Sequence, residues 1–251
     1  CIPCLTRQAI STLRMLNTEE ALQEKTMRLI LQEMQQLDFT NNPPYMSCLV
    51  HRIIKQQTGN TDPYKEIKKE FNKAALNLYD YLEKTVQDSP YPFEQAIRLA
   101  ASANIIDFGV LSEITIKQVK KALQDSLNSP IKGNTAYELE EAITKARKIL
   151  FLADNTGEIV MDKLLLTRMP REKVTYVVKG KPIINDATME DAEAVGITNL
   201  VRVIDNGADV PGTIIELCSD KFKQEFADAD LIIAKGQGNY ECLNDYKGKK
   251  K

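Results

Sequence analysis

The chain has 251 residues, with 33 basic against 35 acidic side chains and a formal net charge of −2. That length holds one large domain or two modest ones around an ample core, and the balanced charge gives no footing for a nucleic-acid or membrane-surface partner. The single histidine, His51, excludes any site that needs two imidazoles and disfavours Ser-His and Cys-His nucleophile pairs. No apolar run reaches membrane-spanning length and no signal-peptide pattern opens the chain. Five cysteines, few and odd in number, point to a reduced, cytoplasmic setting. Cys1 in place of an initiating methionine reads as a trimmed start.

Helical periodicity dominates the first part. Apolar residues recur three and four apart over 5–16, 19–37, 45–57, 64–87, 93–106 and 116–127, and a further helix is predicted over 135–147. Asn41-Asn42-Pro43-Pro44, Thr58-Gly59-Asn60 and Asp88-Ser89-Pro90 punctuate them. From Lys148 the pattern changes to short β-rich runs, 149–153, 174–178, 200–204 and 231–234, alternating with helical stretches at 159–167, 189–194 and 221–227. Such alternation predicts βαβ units and a mostly parallel sheet. The predicted fold is α/β: an all-helical domain over 1–147 packed on an α/β domain over 148–251.

Residues that follow the strands carry the chemistry. The first run ends in Asp154-Asn155-Thr156-Gly157-Glu158. The second leads through Lys179-Gly180-Lys181-Pro182 to Asn185-Asp186-Ala187-Thr188. The third gives Asp205-Asn206-Gly207-Ala208-Asp209, and the fourth Lys235-Gly236-Gln237-Gly238-Asn239. In a parallel sheet these exits share one edge, where open α/β folds bind ligands. Gathered acids repel each other, and a divalent cation resolves the conflict. Asp154, Asn155 and Asp186 form a plausible oxygen shell, completed by water, for one ion of manganese, cobalt, nickel or magnesium. Lys235 and the glycine-flanked amides from Gly236 to Asn239 suit a phosphate. One lysine–phosphate pair at about 4 Å and an effective dielectric of about 20 is worth roughly 4 kcal/mol.

Plainer readings compete. Asp154, Asn155 and Thr156 could cap a helix, and Thr188 with Asp191 fits a capping box. Gly-Gln-Gly lacks the third glycine of a dinucleotide fingerprint. Cys1-Ile-Pro-Cys4 has redox or half-zinc spacing, but packed thiols at a helix start serve equally well. His51 reads as an ordinary helix residue. The small-residue run from Arg98 to Asp107 either packs tightly or delivers Asn104 to a ligand.

Taken as an ordered set, LADNTGE, KPIINDAT, AKGQGN, the early CIPC and RLAASANIID resemble the damage-control phosphatase family. This is the domain of unknown function 89, acidic-residue methyltransferase-like family, and the likeness is greatest to its archaeal CxxC-bearing branch. The resemblance covers essentially the whole chain. It implies a helical domain beside a Rossmann-like α/β/α domain, and metal-dependent hydrolysis of small phosphorylated metabolites such as sugar phosphates. It also implies that Asp154, Asn155 and Asp186 bind the metal, that Lys235 and Gly236 contact phosphate, and that Asn104 reaches over from the helical domain. Ala103 stands where the family has glycine, and the family pattern continues past Lys251 into a further strand and helix. The attacking group is either a water held by Asp154 or Asp186, or Asp154 itself. The rival functions are an S-adenosylmethionine-dependent carboxyl methyltransferase and a non-catalytic phosphometabolite-binding protein. Homo-oligomerisation stays open.

Overall fold

The computed structural model describes residues 2–38, 40–103, 135–244 and 246. Its first part is helical: α1 (Ile2–Met15), α2 (Glu20–Gln35), α3 (Pro43–Thr58), α4 (Lys65–Gln87), α5 (Pro92–Ser102) and α6 (Ala136–Lys145). The α3 boundaries follow from local chemistry. Asn42 accepts the Tyr45 amide, Pro43 and Pro44 fill the first turn, and Gly59 at φ +66 ends the helix. Leu13, Ile30, Met46 and Ile54 bind α1, α2 and α3 into one apolar core.

Strands and helices then alternate: β1 (Ile149–Leu152), α7 (Glu158–Leu166), β2 (Val174–Val178), α8 (Met189–Ala194), β3 (Arg202–Asp205), α9 (Asp220–Asp228), β4 (Leu231–Ala234) and α10 (Gly236–Leu243). All described strands are parallel, in the order β3-β2-β1-β4. Ile149, Phe151 and Tyr176 face a core shared with Leu82 of α4, Leu99 of α5 and Leu164 of α7. Leu150, Leu152 and Val177 face Phe222 and Phe226 of α9 on the other side. Burial of both faces explains why β1 is apolar throughout rather than alternating.

The order of the strands fixes where a ligand can sit. From β1 the chain steps to β2 and β3 in one direction, then returns to place β4 on the other flank of β1. Connections therefore diverge above the carboxyl ends of β1 and β4, the position at which open α/β sheets bind ligands.

Two elements differ from the sequence expectation. Strand β3 starts later, because the amides of Leu200 and Val201 both bond back to the Ile197 carbonyl in a tight turn. Asp205 extends it instead, opposite Val178. The Gly236–Asn239 segment, expected only as the exit of the fourth strand, opens α10; its two glycines hid the helical pattern. Asn104, Asp107, the expected 116–127 helix, Cys1 and residues 247–251 lie outside the described residues. Among the described residues, no helix is long and apolar enough to cross a membrane.

Candidate metal and phosphate site

The exits of β1 and β2 are tied by main-chain bonds. The Ala187 amide donates to the Asp154 carbonyl at 2.9 Å, and the Thr156 amide donates to the Asn185 carbonyl at 2.9 Å. This short antiparallel bridge sets Asn155 opposite Asp186. From the other side, Gly236 follows β4 at φ +82, and a Cβ there would fall on the Asp154 carboxylate. Five of the six expected site residues, Asp154, Asn155, Asp186, Lys235 and Gly236, thus lie on the exits of β1, β2 and β4.

The capping explanation of Asp154, Asn155 and Thr156 does not hold. The N-cap of α7 is Gly157, at φ +79, so none of these three residues is the cap. The Asn155 Nδ2 donates instead to Asp154 Oδ2 at 3.1 Å and to Glu158 Oε1 at 2.8 Å. The Thr188–Asp191 box does form from the Asp191 side, whose Oδ2 accepts both the amide and the hydroxyl of Thr188.

Helix α7 is almost wholly apolar, yet it buries Glu158 and Asp162. Both face a lysine. Lys235 Nζ donates to Asp162 Oδ1 at 2.8 Å and lies 3.6 Å from Glu158 Oε2. Tyr176 donates its hydroxyl to Asp162 Oδ2 at 2.6 Å, so both oxygens of that fully buried carboxylate are satisfied. Asp186 has a different surrounding. Its Oδ2 is buried without a well-aligned hydrogen bond and lies 3.3 Å from Lys179 Nζ, whose own bond goes to the Gly212 carbonyl.

Charge in this cluster does not balance. Asp154, Glu158, Asp162 and Asp186 carry four carboxylates, and Lys179 and Lys235 supply two ammoniums. Burial, then Asp186, pushes the Asp154 carboxyl up to about 7. Burial also raises Glu158 to about 7 and shifts Asp186 upward. Burial opposes the Lys235 ammonium, but Asp162 and Glu158 more than offset it, so its pKa is raised. With all four carboxyls ionised the cluster is short of two positive charges, a deficit that either proton uptake or a divalent cation can meet. Among the described residues, no three His, Cys, Asp or Glu side chains converge as a full ligand set. Asp154, Asp186 and the Asn155 carboxamide offer oxygen donors, the donor type of a hard ion rather than of zinc.

The third exit is scaffold. Asp209 accepts from Nε and one terminal nitrogen of Arg52 on α3, Asp205 accepts the Gly207 amide, and Asn206 accepts the amides of Gly180 and Ala208. Asn239 fastens the fourth exit. It is fully buried, donates to the carbonyls of Ala153 and Lys235, and accepts the Thr213 hydroxyl. His51 is a neutral core residue: it packs edge-on to Tyr64 at 5.9 Å, and burial lowers its pKa to about 4. Burial also lifts Cys48 and Cys242 to about 11 and Cys218 to about 12, which removes them as thiolate nucleophiles.

Sequence reading passed over Asp162, Tyr176 and the ionic role of Lys179. A signal for the first existed: Glu158 and Asp162 are acids one turn apart in an otherwise apolar helix.

Comparison with known proteins agrees with this architecture. The sequence profile of the damage-control phosphatase ARMT1-like domain matches residues 1–251. An uncharacterized protein of Methanocaldococcus jannaschii is 35% identical over 256 residues, spanning 99% of this chain and 84% of that one. A damage-control phosphatase of Pyrococcus horikoshii is 31% identical over 252 residues, spanning 98% of this chain and 85% of its own length. The crystal structure of a DUF89 family protein from Pyrococcus horikoshii superimposes with a TM-score of 0.90 at 29% identity, covering 98% of this chain and 86% of that one.

Proposed function

The chain belongs to the damage-control phosphatase ARMT1-like family, and from that premise we propose that it is a divalent-metal-dependent phosphatase acting on small phosphate monoesters such as sugar phosphates. The observation that supports the metal part is the excess of two negative charges, with all carboxyls ionised, where β1, β2 and β4 end. Asp154, Asn155 and Asp186 would hold the ion. When bound, it supplies Lewis-acid stabilisation of the phosphoryl charge.

The chain's own residues do the rest. Lys235 and the open amides of the first turn of α10 draw the phosphoryl oxygens, because a helix start offers unpaired N–H groups and a partial positive charge. Fixed donors of this kind need no reorganisation as charge develops. They must contribute a large share of a barrier reduction on the order of 20 kcal/mol. In hydrolysis an oxygen–phosphorus bond forms, the ester P–O bond breaks, and one proton passes to the departing alkoxide. Asp154 stands in reach of two roles, orienting the attacking water or attacking phosphorus itself. Transfer of labelled oxygen into the Asp154 carboxylate in single turnover separates them.

The methyltransferase rival needs a glycine-rich turn after β1, where Asp154-Asn155-Thr156 stands. The test of the proposal is hydrolysis of a phosphomonoester panel with manganese, cobalt, nickel and magnesium, and with chelator. Turnover that survives chelation and is unaffected by added metal rejects metal dependence. Binding of phosphoesters without turnover, under every metal, rejects catalysis in favour of a sensor.

A further inference from the structure

We propose that Asn72 of α4 is a positioning residue that registers the two metal-binding loops against each other; the inference rests on the metal site proposed above. Asn72 is 4% exposed and uses both ends of its carboxamide. Its Oδ1 accepts the Gly157 amide at 2.8 Å, and its Nδ2 donates to Asp191 Oδ1 at 3.0 Å. Gly157 lies two residues after Asn155, at a left-handed φ that glycine alone adopts readily. Asp191 Oδ2 in turn holds the amide and hydroxyl of Thr188, at 2.9 and 2.7 Å, two residues after Asp186.

One side chain from the helical part of the chain thus joins the β1 exit directly and the β2 exit through a single carboxylate. Lys68, one turn earlier on α4, steadies that carboxylate: its Nζ lies 3.3 Å from Asp191 Oδ2 and 2.9 Å from Asp62 Oδ2. Every member is buried or nearly so, and each bond is therefore costly to leave unmade. Groups that orient metal ligands from behind commonly change affinity by about 10- to 100-fold when removed. Asn72 meets that description for Asn155 and Asp186 without touching either.

The chemistry allows a swap. Asn72→Asp keeps the acceptor for Gly157 but turns a carboxylate on Asp191. Adding Asp191→Asn restores a donor between them and keeps an acceptor for Thr188. The experiment uses the full chain: manganese titration by calorimetry, with hydrogen exchange over 154–160 and 185–190, on wild type, Asn72→Asp and the double variant. The expected result is at least about tenfold weaker manganese binding and faster exchange in both loops for Asn72→Asp, with both recovered in the double variant. Wild-type affinity and protection in Asn72→Asp, or no recovery in the double variant, overturns the proposal. A wild type that binds no manganese defeats the metal reading alone, and the exchange pattern then decides the role of Asn72.

Discussion

The Asp154 carboxylate occupies the space in which Gly236 would carry a Cβ, so the ends of β1 and β4 meet side chain to backbone. Gly236 also sits at φ +82, which a larger residue adopts only under strain. Gly236→Ala should therefore displace Asp154 and cost about 1–3 kcal/mol in stability. Urea unfolding and manganese titration check both effects; unaltered metal affinity would show that Asp154 need not lie against that helix start.

Neutralising one acid should stabilise the metal-free protein while destroying its activity. Asp154→Asn lowers the excess negative charge beside Asp186. Its melting temperature in chelator at pH 8 should exceed that of wild type, and metal-stimulated phosphatase turnover should vanish. A lower melting temperature would mean the buried charges are compensated in another way.

Raised carboxyl pKa values give a defined pH dependence. Asp154 and Glu158 titrate near 7 when folded and near their ordinary value of about 4 when unfolded, so the native state binds more protons between those limits. Stability in chelator should fall as pH rises through that window, by roughly 2–3 kcal/mol for each carboxyl between pH 5 and 8. His51 works oppositely: its pKa of about 4 when folded makes stability rise with pH up to its unfolded value of about 6.5. Two carboxyls outweigh one imidazole. Denaturation midpoints across pH 4–8, with and without manganese, test the sign, and added metal should flatten the curve.

On the proposed function Lys235 serves both stability and activity, and the two can be separated. Lys235→Ala leaves Asp162 buried without its cation, which should cost about 3–5 kcal/mol. Pairing Lys235→Gln with Asp162→Asn replaces that ion pair by a neutral hydrogen bond. Stability should return, whereas kcat/KM should stay at least about 100-fold down. Recovery of turnover in the double variant would remove Lys235 from phosphate recognition.

Much of this was legible in the residues. Strand positions followed from apolar runs bounded by polar exits, and Asp154, Asn155, Asp186 and Lys235 stood out because a parallel sheet places all exits on one edge. What stayed hidden depended on partners. Asp209 resembled its neighbours until Arg52 claimed it from α3. Asp162 and Tyr176 look like unrelated residues until β2 lies beside α7 and the hydroxyl finds the carboxylate. Asn72 is one more polar residue on a long helix in the sequence; only the approach of α4 to α7 and α8 gives its two ends their work. The strand order, and with it the place where the connections diverge, is likewise a property of crossover direction rather than of any local pattern.

The fastening of Asn239 has a consequence for ligand capture. Because its carboxamide already laces the start of α10 to the last carbonyl before Asp154, the turn proposed to meet the phosphate is fastened before anything arrives. An incoming ester then gives up its own freedom but demands little ordering of the polypeptide, so association should proceed with a small conformational-entropy penalty on the protein's side.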